Sequence, residues 1–178
     1  MHRTMLAVLA CALFLGAAPA RAERFSAELV GFEEVPNAIL SEGKGTLTLN
    51  LDRRAQTLTF TLEFSGLSAP VTQSHIHFGK RHVAGSIFVF FCTNLTPPAA
   101  VPTPQPCPAS GGTVTGTITA ANLLGIAAQG FPAANFDALV EALDSDTAYA
   151  NVHTTTFPAG EIRGQVRHGR GHRDHDRD

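Results

Sequence analysis

Two stretches of strict alternation limit what this chain can fold into. Leu47, Leu49 and Leu51 alternate with Thr46, Thr48 and Asn50, and Leu58, Phe60, Leu62 and Phe64 alternate with Thr57, Thr59, Thr61 and Glu63. A period of two places the apolar side chains on one face of an extended strand and the polar ones on the other, so both stretches read as half-buried antiparallel strands. The polar residues 52–56 between them read as a hairpin connection. Further strands are expected at 25–30, 74–78, 86–91, 113–119, 148–153 and 161–166. Many short strands divided by Gly and Pro are the pattern of an all-β antiparallel β-sandwich or Greek-key barrel. One stretch departs from it. Phe136, Leu139, Val140 and Leu143 follow helical spacing after Asn135, a candidate N-cap, and predict one short helix packed on the edge of the sandwich.

The two ends of the chain behave differently. Residues 1–22 open with His2 and Arg3, continue through an apolar run from Met5 to Ala18 and end Ala20-Arg21-Ala22, the small-x-small pattern cut by a signal peptidase. They read as a signal peptide cleaved after Ala22, which predicts a secreted or periplasmic protein; the apolar run is too short for a permanent membrane span. Export leaves Cys92 and Cys107 as the remaining thiols in an oxidising compartment, so they are expected to pair. Between them lie Pro97, Pro98, Pro102, Pro104 and Pro106, which rules out a helix or a central strand there and leaves a stapled loop. The tail 167–178 carries no apolar side chain and is expected to be disordered, which leaves 23–166 as the domain. With 13 Lys and Arg against 15 Asp and Glu, the chain has no basic field to hold a nucleic acid.

Four segments carry a family resemblance: Leu29-Val30-Gly31-Phe32-Glu33-Glu34-Val35-Pro36, Ser74-His75-Ile76-His77-Phe78-Gly79, Gly112-Thr113-Val114-Thr115-Gly116-Thr117-Ile118, and Asn151-Val152-His153-Thr154 followed by Phe157-Pro158-Ala159-Gly160-Glu161-Ile162-Arg163-Gly164-Gln165. Together and in this order they resemble the CHRD domain, the module named for chordin and found alone behind signal peptides in bacteria. The resemblance covers about residues 24–166. It implies an immunoglobulin-like module outside the cell and no known reaction, and the Cys92 and Cys107 pair resembles that of the single-domain bacterial members.

The histidines are the most chemical feature. His75 and His77 share a strand face, separated by roughly 6.6 Å of rise, close enough for two imidazoles to converge on one ion. His153 has the parity of Tyr149 and Asn151, opposite the apolar Ala148, Ala150 and Val152, and Ile76 and Phe78 are likewise expected to point into the core. All three histidines are therefore expected on faces away from the core, free to share a copper or zinc ion, with His82 of the Lys80-Arg81-His82 turn as a further candidate ligand. Two histidines on one strand and a third on a later one resemble in arrangement the copper site of Cu,Zn superoxide dismutase; too few histidines are present for that enzyme's paired sites, so only a copper-only site would be feasible. The competing expectation is that these histidines hydrogen-bond across strands or to Thr154 and Glu161. If they bind metal, affinity is expected to weaken as pH falls through roughly 6.5.

Glu161 and Arg163 lie i, i+2 and are expected to form a structural ion pair on one strand face. No Ser/His/Asp order, paired carboxylates or Gly-rich phosphate loop appears, so no catalytic residue is assigned. The leading expectation is an exported, non-enzymatic binding or matrix module for an extracellular or periplasmic ligand. The alternative is a copper- or zinc-binding protein, extending to a superoxide-dismutase-like oxidoreductase.

Overall fold

The structure is a computed structural model that describes residues 23–99 and 101–169. The expected signal peptide, residues 1–22, and residues 170–178 of the tail lie outside the described residues. The strands are β1 (Glu23–Val30), β2 (Lys44–Asp52), β3 (Thr57–Ser65), β4 (Val71–Phe78), β5 (Ser86–Thr93), β6 (Gly112–Ile118), β7 (Ala148–Thr154), β8 (Ile162–Gln165) and β9 (Arg167–His168), with one helix, α1 (Phe136–Asp144). They form one antiparallel sheet in the order β5-β4-β7-β8-β1-β2-β3-β6, with β9 added on β1. The all-β antiparallel expectation stands. The hydrogen bonding does not divide the strands into the two facing sheets of a sandwich; instead a single sheet curls until its terminal strands β5 and β6 lie beside each other without a ladder between them. At that seam the Gln105 side chain donates to Thr115 O at 2.8 Å and to Phe91 O at 3.5 Å.

The alternating stretches are β2 and β3. Leu47 faces Leu62, Leu49 faces Phe60 and Leu51 faces Leu58, all buried, while the intervening threonines point outward. Each such side chain taken from water contributes about 1.5–3 kcal/mol, and the ladder fixes register because a one-residue slip would turn the whole apolar set to solvent. The turn is closed by Asp52, whose carboxylate accepts from Ala55 N at 2.9 Å. Helix α1 starts as expected: Asn135 Oδ1 accepts from Ala138 N at 3.0 Å, and Phe136, Leu139 and Leu143 are buried, with Val140 half-buried against the same core. Cys92 and Cys107 are joined by a disulfide, and closing a loop of 15 residues constrains the unfolded chain by about 3 kcal/mol.

The sheet runs past the boundary suggested by composition. Arg167 and His168 pair with Ser26 and Phe25; Arg167 Nη1 reaches Asp146 at 3.1 Å, and the His168 ring lies 4.3 Å from that of Phe25. Backbone ladder bonds and aromatic contact order these two residues although neither side chain is apolar.

Strands β4, β7 and β8 are built on another plan, since every residue of β7 is buried. One face carries Ile76, Ala150 and Val152 into the core, as expected. The opposite face, which points away from that core as expected, is buried too. Residues 79–85 cross it, with Lys80 O and Val83 O accepting from Arg163 Nη2 at 3.2 and 3.0 Å and Gly85 O lying 2.8 Å from His77 Nδ1. Pro158 O covers His153 at 3.0 Å, and Glu34 packs over Gly160. At Gly160, where φ is +132°, a Cβ would run into the Glu34 carboxylate.

Candidate functional site

The twice-buried strands bring together His75, His77 and His153. Antiparallel register puts His77 opposite Tyr149, His75 opposite Asn151 and Gln73 opposite His153, so the histidines occupy successive rungs of one face. Two irregularities in the β4–β5 register, at Ser74/His75 and Ile76/His77, flank them and set His75 edge-on to Phe90. The ring centroid of His75 lies 4.6 Å from that of His77 and 4.5 Å from that of His153. One ring nitrogen from each of the three lies within 4.8 Å of the others. Their face lies away from the apolar core, yet they are shut off from solvent: His75 is 0%, His77 8% and His153 5% exposed. Parity shows which side chains share a face, but not whether loops roof it.

Burial fixes their charge. His75 is held well below the ordinary histidine range, first by loss of hydration and then by repulsion from His153 and His77. Burial lowers His77 to about 4 and lowers His153 as well, against the hydrogen bonds to Gly85 O and Pro158 O. At neutral pH all three are neutral imidazoles, the form that binds metal.

Tautomers follow from the partners. His153 donates from Nδ1 to Pro158 O, which leaves an unshared pair on Nε2, and that nitrogen is buried with no hydrogen-bond partner. Neither nitrogen of His75 has a partner; Asn151 lies near enough to favour its protonated form but is not in hydrogen-bond geometry with it. His77 faces Gly85 O at 2.8 Å and Asn151 Oδ1 at 3.1 Å, two oxygens for a neutral ring with one proton. Donation to Gly85 leaves Nε2 with a lone pair, which either a rotated Asn151 amide or a metal ion would satisfy.

Other expected site residues are placed elsewhere. His82 is exposed in the 79–85 turn, at φ +61°, and is outside the cluster. Glu161 and Arg163 form no ion pair, because β8 begins only at Ile162 and each finds its own partners. Burial would raise the Glu161 pKa, but Ser41 Oγ at 2.6 Å, Thr154 Oγ1 at 2.7 Å, and Ser68 N and Oγ at 2.8 and 2.9 Å outweigh it and keep the carboxylate below its ordinary range. It is a clamp joining three chain segments. Thr154 serves Glu161, so neither residue binds the histidines. Arg163 stacks its guanidinium 3.5 Å above the Tyr149 ring, and Tyr149 in turn stacks on His77 at 4.6 Å with planes 4° apart. Its Nη1 is buried without a partner, and burial lowers its pKa.

Sequence reasoning missed Glu34 as a site-side residue and Tyr149 and Asn151 as partners of His77. The shared parity of Tyr149, Asn151 and His153 was the available signal; nothing in the pattern around Glu34 marks it as buried. It is only 6% exposed, and burial pushes its carboxyl up to about 7, against the attraction of Arg163.

Compared with known protein families, residues 25–166 match the CHRD domain. The chain belongs to the CHRD domain family. The three histidines, Glu34, Tyr149, Asn151, Glu161 and Arg163 all fall inside the matched CHRD segment. No curated protein and no solved structure matches the chain. Among the described residues of this CHRD protein, no helix is long and apolar enough to cross a membrane.

Proposed function

We propose that this CHRD domain is an exported, non-enzymatic binding module with a built-in site for one transition metal ion of the copper or zinc class, held by His75, His77 and His153. The observation that carries this reading is the convergence of three buried, neutral imidazoles of which His75 and His153 offer nitrogens with no other partner. Three nitrogens at about 2.0–2.1 Å from one ion stand roughly 3.3–3.5 Å apart, so rotations of the rings within their present envelope close the site. Pro158 O and Gly85 O hold the outer nitrogens of His153 and His77, which fixes tautomer and aim as second-shell acceptors do for metal-ligating histidines.

A purely structural hydrogen-bonded face accounts less well for His75. A buried donor or acceptor left unmade costs about 1–3 kcal/mol, and a leucine there would avoid that cost. A dismutase-like turnover needs an open coordination position, whereas His75 is sealed from solvent. Binding rather than catalysis fits a roofed site, and export rests on the leader sequence of residues 1–22.

Thermal unfolding during titration with zinc and copper ions tests the reading. A saturable rise in Tm is expected, lost in each of His75→Ala, His77→Ala and His153→Ala and retained in His82→Ala. No shift with either metal would overturn it. Because burial holds the imidazoles neutral, proton competition at His77 sets in near 4, not at the 6.5 of a free imidazole.

A further inference from the structure

A divalent ion is poorly matched to the electrostatics of this site. The grouped ligands are three neutral imidazoles, with no carboxylate or thiolate among them to offset positive charge. The Born cost of burying an ion grows with the square of its charge, so a divalent ion meets about four times the desolvation penalty of a monovalent one. A permanent charge of the wrong sign for any cation acts on His77: the Arg163 guanidinium lies one ring away, on Tyr149, which stacks on His77. Coordination number points the same way. Zinc in structural sites takes four ligands. A fourth imidazole, thiolate or carboxylate is not at hand: Asn151 beside His77 offers only a neutral amide oxygen, the Tyr149 hydroxyl is engaged with Gly85, and His82 is exposed outside the cluster.

Resting on the metal-site reading above, we infer that the His75, His77 and His153 site is built for monovalent cuprous copper, three-coordinate and shut off from water, in preference to a divalent ion. Cuprous ion has a filled d shell, accepts three nitrogen donors without a fourth ligand and adds a single positive charge to the buried face. Arg163 then acts as a selectivity residue. It does not touch the ion, but its charge penalises a divalent occupant more than a monovalent one, because the repulsion scales with the ion's charge.

The test is a pair of competition titrations on the full chain carrying Cys11→Ser, His172→Ala and His175→Ala, so that neither a leader thiol nor the imidazoles beyond His168 contribute. Cuprous ion is delivered anaerobically with ascorbate against a chromogenic cuprous chelator, and zinc against a zinc-binding dye. Affinity for cuprous ion is expected to exceed that for zinc by about 100-fold or more. X-ray absorption of the copper-loaded protein is expected to show a cuprous edge with three nitrogen neighbours. Arg163→Gln is expected to raise zinc affinity by a larger factor than cuprous affinity; if that variant fails to fold, the ratio in the parent protein still decides. Zinc binding at the three histidines as tightly as cuprous ion would overturn this inference while leaving the metal-site reading intact. Failure of both ions to bind would overturn both.

Discussion

The β2–β3 hairpin and the β4–β7–β8 segment belong to one sheet yet obey opposite rules. In the hairpin, one face is apolar and buried and the other is threonine-rich and wet, so every side chain has the solvent it prefers. In β4, β7 and β8 both faces are dry, and the second carries three histidines, an asparagine, a tyrosine and an arginine. The first arrangement is stable by construction. The second holds groups that lose hydration and, at His75, recover no hydrogen bond. Regions assembled against their own stability are where function is sought.

Acid should separate the two regions most strongly. His77 has a folded pKa of about 4 against about 6.5 unfolded, so the unfolded chain takes up protons first and stability falls as pH drops through that window. The loss from His77 alone is about 3 kcal/mol, and His75 and His153, lowered by the same burial, add to it. Urea unfolding at pH 7, 5.5 and 4.5 measures it; a flat profile would mean that the histidine face opens to water without unfolding. Saturating metal should raise stability at pH 7 without flattening the profile, because it too keeps the folded imidazoles unprotonated while the unfolded chain still takes up protons.

Leu49→Ala in the hairpin should cost about 3 kcal/mol at every pH, since it removes buried methyl groups and leaves a cavity. Its metal-induced Tm shift should match that of the parent protein, and coupling between the two would show that the regions are not independent.

Glu34 works against the histidines. Its folded pKa is raised to about 7 from about 4.5, so its stabilising neutral form is present at low pH and lost as pH rises through 7. Glu34→Gln should therefore stabilise by about 2 kcal/mol at pH 8 and by much less at pH 4.5. Equal effects at both would place Glu34 in water.

The smallest effect has the most diagnostic sign. His75→Leu should raise metal-free stability by about 1 kcal/mol while abolishing the metal shift, since the variant trades an unsatisfied imidazole for an apolar side chain. Destabilisation instead would mean that His75 has a structural partner.

The contrast also explains what was legible in the sequence. The hairpin could be read to the residue because half-burial imprints a period of two, and the helix because Asn135 and an apolar stripe announce it. The shared face of His75, His77 and His153 followed from the same parity. Their burial did not, because the roof is made of turns at 31–34, 79–85 and 157–160, and a turn covers a site through its carbonyls without any periodic signal. The Glu161 and Arg163 pairing failed for a related reason: spacing of two implies a shared face only inside a strand, and Glu161 precedes β8.

The seam between β5 and β6 has a consequence for solubility. A sheet that stops short of closing leaves two strand edges with hydrogen-bonding groups on offer, and such edges recruit strands from other molecules. Here Thr93 N donates to Gln105 O at 2.9 Å and Gln105 Nε2 to Thr115 O, so the proline-rich loop lies across the gap and occupies it. Prolines make the loop itself a poor template for further pairing, and the disulfide at its base keeps it in place. Reduction should free both edges together, and self-association through edge pairing should then rise before the fold is lost.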